Sequence, residues 1–170
     1  MTQQEEDQLR RLYIAFGMAA HTAQLVEKEL ALALLLPIHA EAKRHPTREE
    51  IEKTVEEVNR LPFGILVKRL KRFSAITPDE ERYLDEALQK RNYLIHHFFD
   101  FYGADMCIGA TREKMIGELT EIQSFLHPLY KKYSRLSFES FRAWGMTDEQ
   151  IQARIDQLEA EFDAKLRESI

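Results

Sequence analysis

At four points in this chain a threonine stands just ahead of an apolar-periodic run and is followed, three residues on, by a glutamate or glutamine: Thr2 and Glu5, Thr47 and Glu50, Thr77 and Glu80, Thr147 and Gln150. In such a box the hydroxyl accepts the backbone N–H three residues later. The acid or amide side chain reaches back to the N–H of the threonine, so two donors that a helix start leaves unpaired are satisfied together. The third box is reinforced by Pro78, because a proline at the first helical position gives up an N–H that has no partner anyway. Each box is a helix start, and no run with period-two alternation competes with them.

The apolar residues after each box fall three and four apart. Leu9, Leu12, Tyr13, Phe16, Ala20, Ala23, Val26, Leu30, Ala33 and Leu34 predict one long amphipathic helix, closed by Pro37. Residues 37–46 read as a connection. A modest helix is expected from Thr47 to about Arg60, and Pro62 separates it from a helix with Phe63, Leu66, Val67 and Leu70 inward. Gly64 fits either a close backbone approach or a plain helix start. From Thr77 the pattern Tyr83, Leu84, Ala87, Leu88, Leu94, Ile95, Phe98, Phe99 runs to about Gly103. Thr111 is expected to open a helix carried by Met115, Leu119, Ile122, Phe125, Leu126 and Leu129, ending near Tyr133. Residues 134–146 read as irregular, with Phe138, Phe141 and Trp144 tucked into the core. Ile151, Ile155, Leu158, Phe162 and Leu166 form a narrow seam at heptad spacing. The expected fold is an all-α bundle of five or six helices in one domain spanning 1–170, with 147–168 a C-terminal helical arm.

Totals bound the function. With 44% hydrophobic residues the chain can build a core, and with 31% charged residues its surface is well solvated. A net charge of −5 argues against a basic coat over the whole surface. Local clusters remain, Lys68, Arg69, Lys71 and Arg72 and then Lys131, Lys132 and Arg135, each also readable as a solvated helix face. One cysteine, Cys107, excludes an internal disulfide and a cysteine-rich zinc site. No signal-peptide pattern opens the chain, and Leu30 to Ile38 is too short to span a bilayer. A soluble cytoplasmic protein without membrane partners or cofactor is expected.

The chemistry-bearing stretch is RNYLIHHFF, residues 91–99. Three readings compete. Arg91 pairs with Glu86 or Asp100 while a half-buried histidine bonds a carbonyl, as structural residues do. Alternatively His96, His97 and Asp100 hold a metal, but no Glu-x-x-His pair or His-Glu-x-x-His motif supports this. In the third, arginine grips a phosphate and histidine moves a proton, so that RNA is cleaved by its own 2′-hydroxyl. An ideal helix places Arg91 and His96 roughly 140° apart. One helix therefore does not pair them, and a two-fold dimer would let Arg91 of one subunit act with His96 of the other.

At Arg91-Asn92-Tyr93-Leu94-Ile95-His96 the sequence resembles the HEPN superfamily (higher eukaryotes and prokaryotes nucleotide-binding). Its ribonuclease members carry arginine, four to six residues, then histidine, often with asparagine directly after the arginine. His97 also satisfies the spacing; His96 is preferred because arginine-asparagine-x3-histidine is the commoner form. LPFGILVKRLKRF upstream is similar to a segment that precedes the motif in bacterial members. The resemblance covers roughly residues 61–102 and implies a homodimeric, metal-independent endoribonuclease of toxin–antitoxin or antiphage systems, with a cognate antitoxin or regulator as a further partner. Arg91, Asn92 and His96 are then the expected catalytic residues, with Tyr93 and His97 secondary. Lys90 and the 68–72 cluster are expected to guide RNA. The alternative is a non-catalytic, antitoxin-like or nucleotide-binding helical module, favoured by the C-terminal seam and the negative charge.

Overall fold

The computed structural model describes residues 2–35, 47–73, 76–143, 145–153, 156 and 160. The structure is all-α, and no β-strand occurs among the described residues. The helices are α1 (Gln3–Ala33), α2 (Arg48–Asn59), α3 (Phe63–Phe73), α4 (Pro78–His96), α5 (Phe98–Tyr102) and α6 (Gly109–Ala143), with a 3-10 turn at Gly103–Cys107 between the last two. Residues 148–153 are helical as well.

The boxes at Thr2 and Thr47 form in full, each hydroxyl accepting the N–H three residues on while the glutamate accepts the threonine N–H. Thr147 and Gln150 make the same reciprocal pair. At Thr77 only half of the expected box forms. The hydroxyl caps Glu80 N–H at 3.2 Å, but the Glu80 carboxylate turns to α6, accepting from Tyr133 at 2.8 Å and pairing with Lys132 at 2.7 Å. Tertiary partners outcompete a local cap that the threonine already supplies in part.

The largest interface is that of α1 with α6. The two run in the same direction: Arg11 meets Glu113 near both starts, and the Ser137 hydroxyl reaches Glu29 carbonyl toward the other end. α4 returns antiparallel to both. Its Arg91 meets Glu27 of α1, its Tyr83 donates to Phe125 carbonyl of α6, and Phe99 just beyond it stacks on Phe16 with ring centroids 4.8 Å apart. Leu12, Val26, Leu30, Leu84, Leu94, Met115, Leu119 and Leu126 fill the space between the three. Phe63, Leu66, Val67 and Leu70 of α3 are all buried, as their spacing predicts, and close one end.

Several expectations are corrected. A Cβ on Gly64 would meet only the Leu88 side chain, at 3.7 Å, so no backbone approaches there. Tyr13 and Ile95 are exposed rather than inward. The Thr77 helix does not run unbroken to Gly103: it breaks at His97, where φ is −129° and ψ −14°. The sixth helix starts before Thr111 and passes Tyr133 to reach Ala143. Phe138 stays 37% exposed instead of tucking in, while Phe141 is half-buried. Trp144, the 37–46 connection, and Ile155, Leu158, Phe162 and Leu166 of the C-terminal seam lie outside the described residues.

Candidate functional site

α4 is held by Leu84, Ala87 and Leu94 on its core side, and that anchorage fixes where each motif residue points. Arg91 lies at the edge facing α1, its side chain 23% exposed. Its Nη2 is 3.2 Å from Glu27 Oε2, and its Nη1 donates to Asn92 Oδ1 at 3.2 Å. Both bonds are longer than is typical of charge-assisted pairs. Two of the five guanidinium N–H groups are thus directed, and the remaining donors can take a phosphate oxygen.

His96 ends α4 and is exposed. His97 is exposed too, and its ring lies 6.2 Å from that of His96 at a steep angle. Among the described residues no hydrogen bond or ion pair joins either ring to another side chain. The His97 backbone instead carries the break, its N–H bonded to Tyr93 carbonyl at 2.9 Å and its carbonyl accepting from Phe101 at 2.8 Å. Gly103 then ends α5 at φ +46°, a conformation that favours glycine. His96 therefore presents its ring at the surface, and His97 sits where the backbone breaks between α4 and α5.

The structure joins Arg91 to Asn92 but does not bring Arg91 and His96 together within the chain. Arg91 faces α1, whereas Asn92 and His96 share an adjacent, more outward row one turn apart. Lys90 and Tyr93 face the other way, into an open groove of about 540 Å³ between α4 and α6, lined also by Lys114, Gly117, Glu118 and Glu121. Lys90 lies 5.0 Å over the Phe125 ring and 3.4 Å from Glu86. Burial together with hydrogen bonding to Glu118 pushes the Tyr93 hydroxyl up to about 12. Tyr102 is 6% exposed, donates to the same carboxylate, and is pushed up further for the same reasons.

The 68–72 cluster divides. Lys68, Arg69 and Arg72 are exposed. Lys71 is tied to Asp85 at 2.8 Å and Glu81 at 3.1 Å, and the hydrogen bond to Asp85 above all raises its pKa against the opposing effect of burial. In the second cluster Lys132 is bound to Glu80 and Arg135 lies 3.5 Å from Glu139.

Two residues escape the sequence reading. Glu27 sits on the flank of the α1 apolar stripe, where a carboxylate looks like ordinary surface charge. Arg112 is 4% exposed; it donates to Met106 and Cys107 carbonyls and to Gln8, tying the 3-10 turn to α1. An arginine in the first turn of a helix, where acidic residues are favoured, was the available signal. Among the described residues no group of three or more His, Cys, Asp or Glu side chains is placed to hold a metal ion, and no helix is long and apolar enough to cross a membrane. No family model matches the chain, and neither the curated proteins nor the solved structures compared with it give a match.

Proposed function

We propose that the chain is a homodimeric endoribonuclease of HEPN type. The observation that supports it most is the state of the motif: Arg91 is oriented by Glu27 and Asn92 with donors to spare, and an exposed histidine ends the same helix. His96 takes the proton of an RNA 2′-hydroxyl. The 2′-oxygen bonds to phosphorus, the bond from phosphorus to the 5′-oxygen breaks, and the leaving oxygen is protonated by a second acid, His96 of the other subunit or water. Arg91 holds the non-bridging oxygens as charge builds on them. No metal is needed for this path, because the nucleophile belongs to the substrate. Cleavage directed by a cognate antitoxin or regulator, in toxin–antitoxin or antiphage defence, is the biological setting that the motif suggests.

The test is RNA cleavage by purified protein in chelator, comparing wild type with Arg91→Ala and His96→Ala. Cleavage that persists in chelator and vanishes in both variants supports the proposal. Equal cleavage by all three proteins overturns it, and loss of cleavage in chelator with metal bound to the protein replaces it with a metal enzyme. A second reading, a non-catalytic helical interaction module, draws on the exposed apolar residues of α1, where Tyr13, Ile14 and Met18 are each more than half exposed. It predicts no cleavage by any variant.

A further inference from the structure

α1 carries one face that nothing in the subunit explains. Ile14 and Met18, 55% and 52% exposed, lie one turn apart on it. Between them is Gly17, in the middle of a 31-residue helix. Glycine weakens a helix interior, yet a Cβ there would meet nothing within 4 Å and the backbone has no positive φ. Inside this subunit alanine would serve better. A glycine beside two exposed apolar side chains suits close approach by another helix.

The charges choose which helix. Asp7, Ile14, His21 and Lys28 recur every seven residues and form one straight row along α1. Asp7 and Lys28 are both exposed, one toward each end. Laid against itself in parallel, the row sets Asp7 on Asp7 and Lys28 on Lys28. Laid antiparallel about Gly17 and Met18, it sets Asp7 against Lys28 at both ends and Ile14 against His21, with the glycine at the crossing. We infer that this face of α1 is the contact between two copies of the chain, packed antiparallel across a two-fold axis near Gly17 and Met18.

The arrangement deepens the homodimer in the proposed function and uses none of its chemistry. α4 packs on one flank of α1 and α6 on the other, through Glu27 with Arg91 and Arg11 with Glu113. Rotation about a two-fold axis normal to both the helix and the contact direction preserves the flank. Both copies of Arg91 and His96 therefore lie on one side of the pair, as a shared cleft requires.

The test is sedimentation of the full chain over a wide range of concentration. Wild type is expected to dimerise, and Ile14→Asp with Met18→Asp to remain monomeric with an unchanged circular-dichroism spectrum. Asp7→Lys and Lys28→Asp each weaken the dimer several-fold, more so at low salt, and the two together restore it. Met18→Cys in a Cys107→Ser background cross-links to itself with a short bis-maleimide. A wild-type monomer at every concentration overturns the inference and leaves the face to another occupant. A dimer indifferent to these changes overturns it too, and leaves the enzyme reading to its own assay. An α1 dimer that cleaves no RNA sinks the enzyme and keeps the interface.

Discussion

Arg91 and Glu27, 64 positions apart in sequence, are joined by a 3.2 Å ion pair in which each side chain is about a quarter exposed. The pair fastens the motif helix to α1, so Arg91 has a structural duty beside its proposed chemical one. Removing either partner leaves the other partly desolvated and unpaired, at a cost of about 1–2 kcal/mol, between the values for surface and buried pairs. Arg91→Ala is expected to lower the thermal midpoint measurably, and loss of cleavage in it would mix two causes. Arg91→Lys separates them. It keeps a cation near Glu27, so stability stays close to wild type, but a lysine lacks the planar fork, so cleavage falls at least tenfold. Thermal melting and single-turnover cleavage of the three proteins check this; a lysine variant with full activity removes the fork from the mechanism.

His96 and His97 give opposite expectations. With an exposed ring and no hydrogen-bond or ion-pair partner for it among the described residues, His96→Ala changes stability by no more than about 0.5 kcal/mol and abolishes cleavage. His97→Ala leaves cleavage largely intact, since that residue acts through its backbone at the break. His97→Pro removes the N–H that reaches Tyr93 carbonyl and destabilises the α4 end. Denaturant melts beside cleavage rates decide which histidine matters.

The sequence made the helices legible where local chemistry decides them. The threonine boxes named the starts of α1, α2 and α4, and the spacing of Phe63, Leu66, Val67 and Leu70 named the buried face of α3. It misled where a distant partner overrides the local signal. Ser134 to Ser140 looks like an irregular stretch, yet Ser137 and Ser140 donate back to the carbonyls of Tyr133 and Leu136 inside α6. Their small side chains are buried, Ser137 with its hydroxyl against α1. α6 also continues well past Tyr133, where the expected helix ended, to reach Ala143. Helix geometry set Arg91 and His96 on different faces, and in the structure Arg91 turns to Glu27 of α1 while His96 is exposed. Glu27 was invisible because no local pattern records which helix comes to lie beside α4.

Glu118 receives Tyr102 and raises Tyr93 as well, and Tyr133 is raised by burial and by Glu80. A tyrosine whose folded pKa lies above its unfolded value of about 10 holds its proton longer in the folded state. The folded state then binds more protons than the unfolded one, so stability falls as pH rises above about 10. Wild type is expected to lose stability progressively from there toward about 12 and beyond. Tyr102→Phe shows a shallower decline, and Glu118→Gln lowers the midpoint at which tyrosinate absorbance appears. Urea melts across alkaline pH, paired with near-ultraviolet titration, provide the measurement; parallel declines in wild type and Tyr102→Phe would refute the assignment.

On the acid side, Glu80 carries the expected dependence. Burial opposes its ionisation, but hydrogen bonds from Lys132 and Tyr133 outweigh that and hold the carboxyl below its ordinary value. A depressed carboxyl stabilises the fold above its unfolded pKa and loses that contribution as pH falls through the folded one. Glu80→Gln is therefore less stable than wild type near neutral pH, and the difference shrinks toward acid. A constant difference at every pH would place the effect in packing rather than in charge.

The last prediction concerns how RNA is held. A lysine neutralised by two carboxylates displaces few counterions, so Lys71, bound to Asp85 and Glu81, contributes little to the salt dependence of RNA binding. Lys68, Arg69 and Arg72 are exposed, and the first two have no ion-pair partner among the described residues. Replacing Lys68 and Arg69 together by alanine is expected to reduce the slope of log affinity against log salt by about 1–2, with stability unchanged. Lys71→Ala should do the reverse, costing stability through two orphaned carboxylates while leaving the slope alone. Fluorescence anisotropy of a labelled single-stranded RNA over a salt series, with melts of the same proteins, tests both halves. If Lys71→Ala changes the slope as much as the Lys68 and Arg69 pair, the α3 to α4 ion pairs open on binding and the cluster acts as one surface. If none of them changes it, RNA is held elsewhere, and the α4 to α6 groove bearing Lys90 and Lys114 becomes the surface to mutate next.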